Sequence, residues 1–304
     1  MAKDNIKKKR KKTQAPIALV YFITLVAVLL VIGGISMFVM TKYVLVDDSS
    51  SVLTEEDPTP TKKDNATKLY LLVNDRGELE MTMVERVLPK SAKIVLLPVS
   101  EKTLAEGTQK TLADIYKAVG SQGVKSEIET LLGTEMNNYI VLNHENFENL
   151  IDNLASISYT IPENMYYIDE NSDDIVNYEL GQELTLFGAE LRPLLTYPEY
   201  ENGPGENTKV CGELISSVIN QGLKTSLTVQ NLSATFSAMV KGSDDKDFSL
   251  NDFTEKTQSN IQYIIDNSND PANYITATGS WNAEGTAFTV DESFKEQLKT
   301  LFEL

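Results

Sequence analysis

Residues 17–40 are twenty-four consecutive positions without a single Asp, Glu, Lys or Arg. At about 1.5 Å of rise per residue, such a run crosses roughly 30 Å of hydrocarbon as one helix. A cleaved leader has an apolar core of only about 7–15 residues and a small-residue cleavage site after it, so the run reads as a retained anchor. Lys3, Lys7, Lys8, Lys9, Arg10, Lys11 and Lys12 lie just before it. Positive charge is held on the cytoplasmic side, which sets the expected layout. Residues 1–16 form a basic cytoplasmic tail, 17–40 a transmembrane helix, 41–67 an extracytoplasmic stalk rich in Asp, Ser, Thr, Glu and Pro, and 68–304 one extracytoplasmic domain. The expected location is therefore the cell membrane, single-pass, with the N-terminus cytoplasmic. The domain's 237 residues suffice for a substantial core.

Charge narrows what that domain can bind. Beyond residue 46, 19 Lys and Arg face 43 Asp and Glu, a net charge of -24. No nucleic-acid partner is expected of such a surface, and a phosphate-bearing ligand needs a local cationic pocket or a bridging metal ion. Cys211 is the only cysteine, so no intrachain disulfide forms and stability must come from an ordinary core.

Short continuous apolar runs at 69–73, 94–97 and 139–142 read as buried strands. Helical spacing appears over 112–119 and 124–132, in Phe147, Leu150, Ile151 and Leu154, in Val210, Leu214, Val218 and Ile219, and in Phe294, Leu298, Leu301 and Phe302. Strands alternating with helices predict an α/β domain with helices packed on a central sheet.

Most catalytic constellations are excluded by count. His144 is the only histidine, and at a strand-to-helix junction it reads as a polar cap. Asp75, Glu78 and Glu80 follow the first strand, where α/β folds place ligand sites, and carboxylates suit Mg²⁺. A solvated acidic turn around Asn74 and Gly77 explains the same residues. Beyond the tail only Arg76, Arg86 and Arg192 offer a planar fork for phosphate, with Lys209 as a further cation. The Gly203-Pro204-Gly205 stretch presents backbone N–H groups to an anion or simply makes a turn.

Taken in order, these features resemble the LytR-CpsA-Psr family of cell-envelope proteins. The stretch 69–76 (Leu-Tyr-Leu-Leu-Val-Asn-Asp-Arg) looks like its first strand and acidic turn. The most specific likeness is Gly120 to Gly123, then 127–133, 138–142 and 147–154. Residues 181–188 look like its Gly-Gln-x-Leu-x-Gly segment lengthened by one, and 288–291 like its C-terminal end. The resemblance implies a three-layer α/β/α extracytoplasmic domain with a central mixed sheet, preceded by one transmembrane helix. It also implies binding of a polyprenyl-pyrophosphate lipid and transfer of its cell-wall glycopolymer to peptidoglycan with a divalent metal.

The family's active-site pattern is altered here. Its Arg-Ser-Asp-Thr is Glu78-Leu79-Glu80-Met81, and its Ile-Pro-Arg-Asp is Leu97-Pro98-Val99-Ser100. Its paired Arg-x-Arg gives way to residues 195–198, with Arg192 out of register. Its last acidic-basic stretch keeps one acid, Glu206, and one cation, Lys209. The resemblance thus implies Asp75 and Glu80 as catalytic residues, Arg76, Arg192 and Lys209 as phosphate ligands, and Asp75, Glu80 and Glu206 as ligands of Mg. Lost guanidinium groups cost a few kcal/mol each at a pyrophosphate site, roughly 1.5–3 per charge-assisted contact. The expected function is an envelope binding or assembly role with weak or lost transfer. The alternatives are an active Mg-dependent glycopolymer phosphotransferase with a rearranged site and a non-enzymatic acidic surface scaffold.

Overall fold

Period-two alternation builds the central sheet. In β1 (Ala66–Val73), Leu69, Leu71 and Val73 face one side while Tyr70 and Leu72 face the other. The computed structural model describes residues 59–168, 175–225, 232–243, 245–252 and 255–304, and these fall within one compact unit from Asp57 to Leu304. The expected tail, the anchor and most of the stalk lie outside the described residues. Among the described residues no helix is long and apolar enough to cross a membrane.

A turn at Asn74 leads from β1 into β2 (Leu79–Leu88), its side chain accepting from the backbone N–H groups of Arg76 and Glu78 at 3.0 and 2.9 Å. Gly77 takes the left-handed conformation there, with φ 74°. β2 runs antiparallel to β1 and to β3 (Lys93–Val99). β4 (Asn138–Leu142) adds parallel to β1, and β9 (Ala272–Tyr274) parallel to β3, giving a mixed sheet in the order β4-β1-β2-β3-β9. Three two-stranded ribbons lie beside it: β5 (Ile157–Thr160) with β8 (Glu183–Leu186), β6 (Met165–Ile168) with β7 (Ile175–Tyr178), and β10 (Gly279–Trp281) with β11 (Phe288–Val290).

Among the described residues the α-helices are α1 (Leu112–Leu132), α2 (His144–Leu154), α3 (Gly188–Leu195), α4 (Glu206–Lys224), α5 (Leu232–Lys241), α6 (Glu255–Asn267) and α7 (Glu292–Leu301). They split between the faces of the sheet, so two cores form. Val124 and Ile128 of α1, Phe294 and Leu298 of α7, and Phe302 after it pack on Leu69, Leu71, Val84 and Leu97. On the opposite face Leu72, Met81, Met83 and Leu96 meet Phe147 and Ile151 of α2, Leu191 of α3, Val218 of α4 and Ile264 of α6. This is the expected three-layer α/β/α arrangement.

Local chemistry explains the boundaries. Thr111 and Asp114 form a capping box at the start of α1, and Gly133, in the left-handed conformation, ends it. The backbone of Gly120 is non-helical (φ 75°, ψ −165°), so the two stretches expected at 112–119 and 124–132 are the limbs of one bent element. Close approach demands glycine at two other points. A Cβ on Gly212 of α4 would lie 2.6 Å from the Tyr274 ring, and one on Gly188 would lie 2.4 Å from the Glu148 carbonyl oxygen. Asn220 of α4 grips the start of β9, donating to the Ala272 carbonyl at 2.9 Å and accepting from its N–H at 2.8 Å.

β2 is a strand the apolar runs did not announce. Its Glu85 and Arg86 interrupt the run, and both are accommodated by partners inside the fold. Arg86 donates from Nε to the Phe302 carbonyl at 3.0 Å and from Nη1 to Thr67 Oγ1 at 2.7 Å, while Glu85 accepts from the Tyr70 hydroxyl at 2.8 Å. Regular structure also begins before residue 68, with a short 3-10 turn at Lys62–Asp64 closed by a Thr61–Asp64 capping box.

Candidate functional site

β1, β3, β4 and β9 all run in one direction, and β2 begins where β1 ends, so one edge of the sheet collects every residue that follows a parallel strand. Asp75 comes from the turn after β1, Glu80 from the start of β2, Ser100 and Glu101 from the end of β3, and His144 from the end of β4. Asn207 and Thr208, in the first turn of α4, complete a recess of about 10 Å³ with Glu80, Ser100 and Glu101. That is room for one water or one hydroxyl group at most.

His144 is the hub, and the capping expectation is corrected here. Asn143 is the cap, its side chain accepting from the Asn146 N–H at 2.9 Å. His144 is buried instead, with Nε2 2.8 Å from Glu80 Oε2 and Nδ1 4.0 Å from Asp75 Oδ1. An Asn before a strand-end histidine was visible in the sequence, but which of the two would cap was not. Glu101 was not anticipated at all. Burial holds its carboxyl above the usual carboxylate range, Lys102 partly offsets this, and the nearby charge of Glu80 adds to it. Its side chain accepts from Ser100 Oγ at 3.1 Å.

The expected phosphate ligands each have an acidic partner. Arg76 pairs with Glu78 at 2.8 Å on the surface, and Arg192 of α3 pairs with Glu148 of α2 at 2.6 Å in a largely buried contact. Lys209 pairs with Glu206 at 2.8 Å one turn away, which raises the lysine's pKa. Glu206, expected beside Asp75 and Glu80 as a metal ligand, is thus engaged by that lysine, whereas Asp75 and Glu80 both face His144. Among the described residues no group of three or more His, Cys, Asp or Glu is placed to hold a metal ion. Two carboxylates still match the chemistry of Mg²⁺, which keeps waters and uses substrate phosphates for the rest of its shell.

Cys211 is inert by position: burial pushes its thiol far up, and its Sγ sits 3.0 Å from Met81 Sδ. Met81 also marks where the polar edge meets the second feature of the domain. Between the sheet and α2, α4, α5 and α6 lies a cavity of about 350 Å³, lined by Leu72, Met83, Phe147, Val218, Phe236 and Ile264 among others, and Met81 lines both it and the polar recess. Its size is that of a small-molecule pocket, roughly 300–1,000 Å³. The cavity also holds polar groups: Lys68, Tyr70 and Glu85 line it, and burial raises the Tyr70 hydroxyl well above its usual value.

Residues 74–197 match the model of the LytR_cpsA_psr family. No curated protein matches the chain. Among solved structures, a protein of Eubacterium siraeum DSM 15702 described as a transcription regulator superposes with a TM-score of 0.72 at 17% identity, over 84% of this chain and 99% of that one. Bacillus subtilis TagV superposes at 0.61 and 14% identity, over 80% and 97%. TagT bound to LIIa-WTA superposes at 0.60 and 16% identity, over 85% and 98%. At these identities the likeness is one of fold.

Proposed function

We propose that the chain, whose residues 74–197 match the LytR_cpsA_psr family model, works at the cell envelope, holding the prenyl chain of a polyprenyl-pyrophosphate-linked cell-wall glycopolymer. The observation that carries this reading is the apolar cavity that adjoins the polar edge at Met81. A prenyl chain in the cavity leaves its headgroup beside Glu80, Ser100 and Glu101. Each CH₂ withdrawn from water contributes about 0.8 kcal/mol, so the chain rather than the headgroup supplies most of the affinity. TagT, of the same fold, is seen bound to LIIa-WTA, which supports a wall polymer as the cargo.

The same edge argues for binding over transfer. A pyrophosphate entering it meets the carboxylates of Glu80, Glu101 and Asp75, while the three arginines are held at Glu78, at Glu148, and at Thr67 with the Phe302 carbonyl. Transfer is accordingly weak or lost, and the role is one of presentation or assembly at the outer face of the cell membrane.

One observation favours a second reading, an active Mg-dependent phosphotransferase: Asp75 and Glu80 do come together at His144. In that reading these two carboxylates hold the metal, which supplies charge neutralisation at the phosphates, and Lys209 or Arg192 turns to the phosphate.

The test is binding of a short polyprenyl pyrophosphate to the full chain, with and without Mg²⁺, followed by an assay for glycopolymer release. Prenyl-dependent binding with little response to Mg²⁺ and no release is expected. Absence of prenyl binding sinks the proposal, and Mg²⁺-dependent release lost in Asp75→Ala or Glu80→Ala replaces it with the second reading.

A further inference from the structure

Against a net charge of -24 beyond residue 46, four exposed lysines gather at the end of the sheet opposite the carboxylate edge. Lys62 and Lys63 lie on the 3-10 turn that leads into β1. Lys90 lies on a second such turn (Pro89–Ser91) between β2 and β3, and Lys93 begins β3. The register brings them together: Ala66 stands opposite Val87 and Leu88 opposite Lys93, so the turn before β1 lies beside the turn after β2. None of the four side chains has an acidic partner among the described residues.

The acids of this end are mostly spent on other contacts. The side chain of Asp64 is 5% exposed and is held by Lys256 and by the Thr61 N–H. Glu303 accepts from Ser91 Oγ at 2.5 Å, and Asp270 pairs with Lys224 at 2.6 Å. Asp252, which lies before α6, and Glu255, which begins it, are exposed, so the free lysines outnumber them. The eight residues of β1 separate this end from Asp75 by roughly 26 Å. Physiological salt screens charge over about 8 Å, so an anionic surface at the lysine end does not feel the distant carboxylates.

Two features favour a lipid bilayer over a soluble polyanion as that surface. The chain enters the domain here: the described residues begin at 59, directly before the first lysine turn. The charge-free run ends at residue 40, and the 18 residues between span at most about 60–65 Å. The apolar cavity reaches the same end, where Asp64, Ala66, Lys68 and Pro89 line it.

We propose that Lys62, Lys63, Lys90 and Lys93 dock this end of the domain on an anionic phospholipid bilayer, setting the Asp64–Pro89 end of the cavity against the lipid and the carboxylate edge away from it. The docking orients a tethered domain, and a chain drawn into the cavity then leaves the membrane directly. The inference deepens the envelope reading and rests on it for a bilayer within reach. Each lysine near an anionic surface is worth about fivefold in affinity, so two of them account for about 25-fold.

The test is a lysine footprint. The full chain is reconstituted in vesicles of phosphatidylcholine, alone or with about a third phosphatidylglycerol, and acetylated with a water-soluble reagent, each lysine being read by mass spectrometry. In the anionic vesicles labelling of Lys62, Lys63, Lys90 and Lys93 should fall at least threefold and recover in about 0.5 M salt, where the Debye length shrinks to about 4–5 Å. Exposed Lys110 and Lys117, before and within α1, should not change. Lys90→Gln combined with Lys93→Gln should return Lys62 and Lys63 to their labelling in neutral vesicles, with thermal unfolding unaltered. Equal labelling in the two vesicles overturns the proposal, including equally low labelling, as when Glu55, Glu56 and Asp57 of the chain itself cover the lysines. Protection by soluble polyphosphate in neutral vesicles, with none from phosphatidylglycerol, also overturns it. The footprint is read without any prenyl ligand, so docking and prenyl binding fail separately.

Discussion

Arg192 separates a structural from a ligand-binding account of the site, and its pairing allows the difference to be measured. Its side chain is 8% exposed, its Nε lies 2.6 Å from Glu148 Oε1, and Glu148 is 26% exposed. Breaking a buried ion pair from one side costs about 3–5 kcal/mol, because an uncompensated charge stays behind. Glu148 is open enough to be rehydrated in part, so Arg192→Met should cost about 2–3 kcal/mol, at or just below the low end of that range. Glu148→Gln keeps a neutral acceptor and should cost about 1 kcal/mol. In the double variant neither charge is stranded, and the cycle should return a coupling of about 1–2 kcal/mol. Urea unfolding of the four chains, with unchanged m values, measures this. Additive single costs would refute the reasoning. So would an Arg192→Met chain of full stability that had lost prenyl pyrophosphate binding, because the guanidinium would then belong to the phosphate.

Three further outcomes follow from named contacts. Burial raises the Glu101 carboxyl, so between its ordinary and its folded pKa the folded state binds more protons than the unfolded one. The stability of the native chain relative to Glu101→Gln should therefore fall as pH rises through that window, the two converging in acid and the variant unfolding at higher temperature near neutrality. Gly188→Ala places a methyl group 2.4 Å from the Glu148 carbonyl and 2.5 Å from its Cα, so α2 and α3 must separate; a loss of about 1–3 kcal/mol in denaturant unfolding is expected, and a change under 0.5 would show that the helices give way freely. Val218, fully buried on the wall of the apolar cavity, has space before it, so Val218→Phe should change stability by less than about 1.5 kcal/mol while weakening prenyl pyrophosphate binding tenfold or more by titration calorimetry, a difference of about 1.4 kcal/mol.

The parts of the fold that sequence made legible are those in which one physical pattern acts alone. β3 and β4 are buried on both faces, so their apolar runs are nearly unbroken, and the stripes of α2, α4 and α7 each meet a single core. β2 was hidden because Glu85 and Arg86 find partners only through tertiary contacts, with Tyr70 and Thr67 on the neighbouring strand and the Phe302 carbonyl from the far end of the chain. The site divides in the same way. Asp75 and Glu80 could be placed at the sheet edge from their position after a strand. Glu101 and Asn207 are one carboxylate and one amide among many until the crossing of elements buries them. The phosphate roles assigned to Arg76, Arg192 and Lys209 by resemblance met a local cause of another kind, since each has an acidic partner in its own neighbourhood.

The three residues of β9 bear on how the chain reaches this fold. β1, β2 and β3 pair in sequence order and form a meander that closes quickly, since each contact spans a short loop. The outer edge of β3, with Ile94, Val95 and Leu96, stays unpaired until Ala272, Asn273 and Tyr274 arrive from the far end of the chain. During that interval it is an apolar template open to any passing strand. The amide of Asn220, holding Ala272 at both its N–H and its carbonyl, is then the latch that ends the exposure. Loss of the latch should show first as aggregation during synthesis, in yield rather than in the stability of molecules that have already folded.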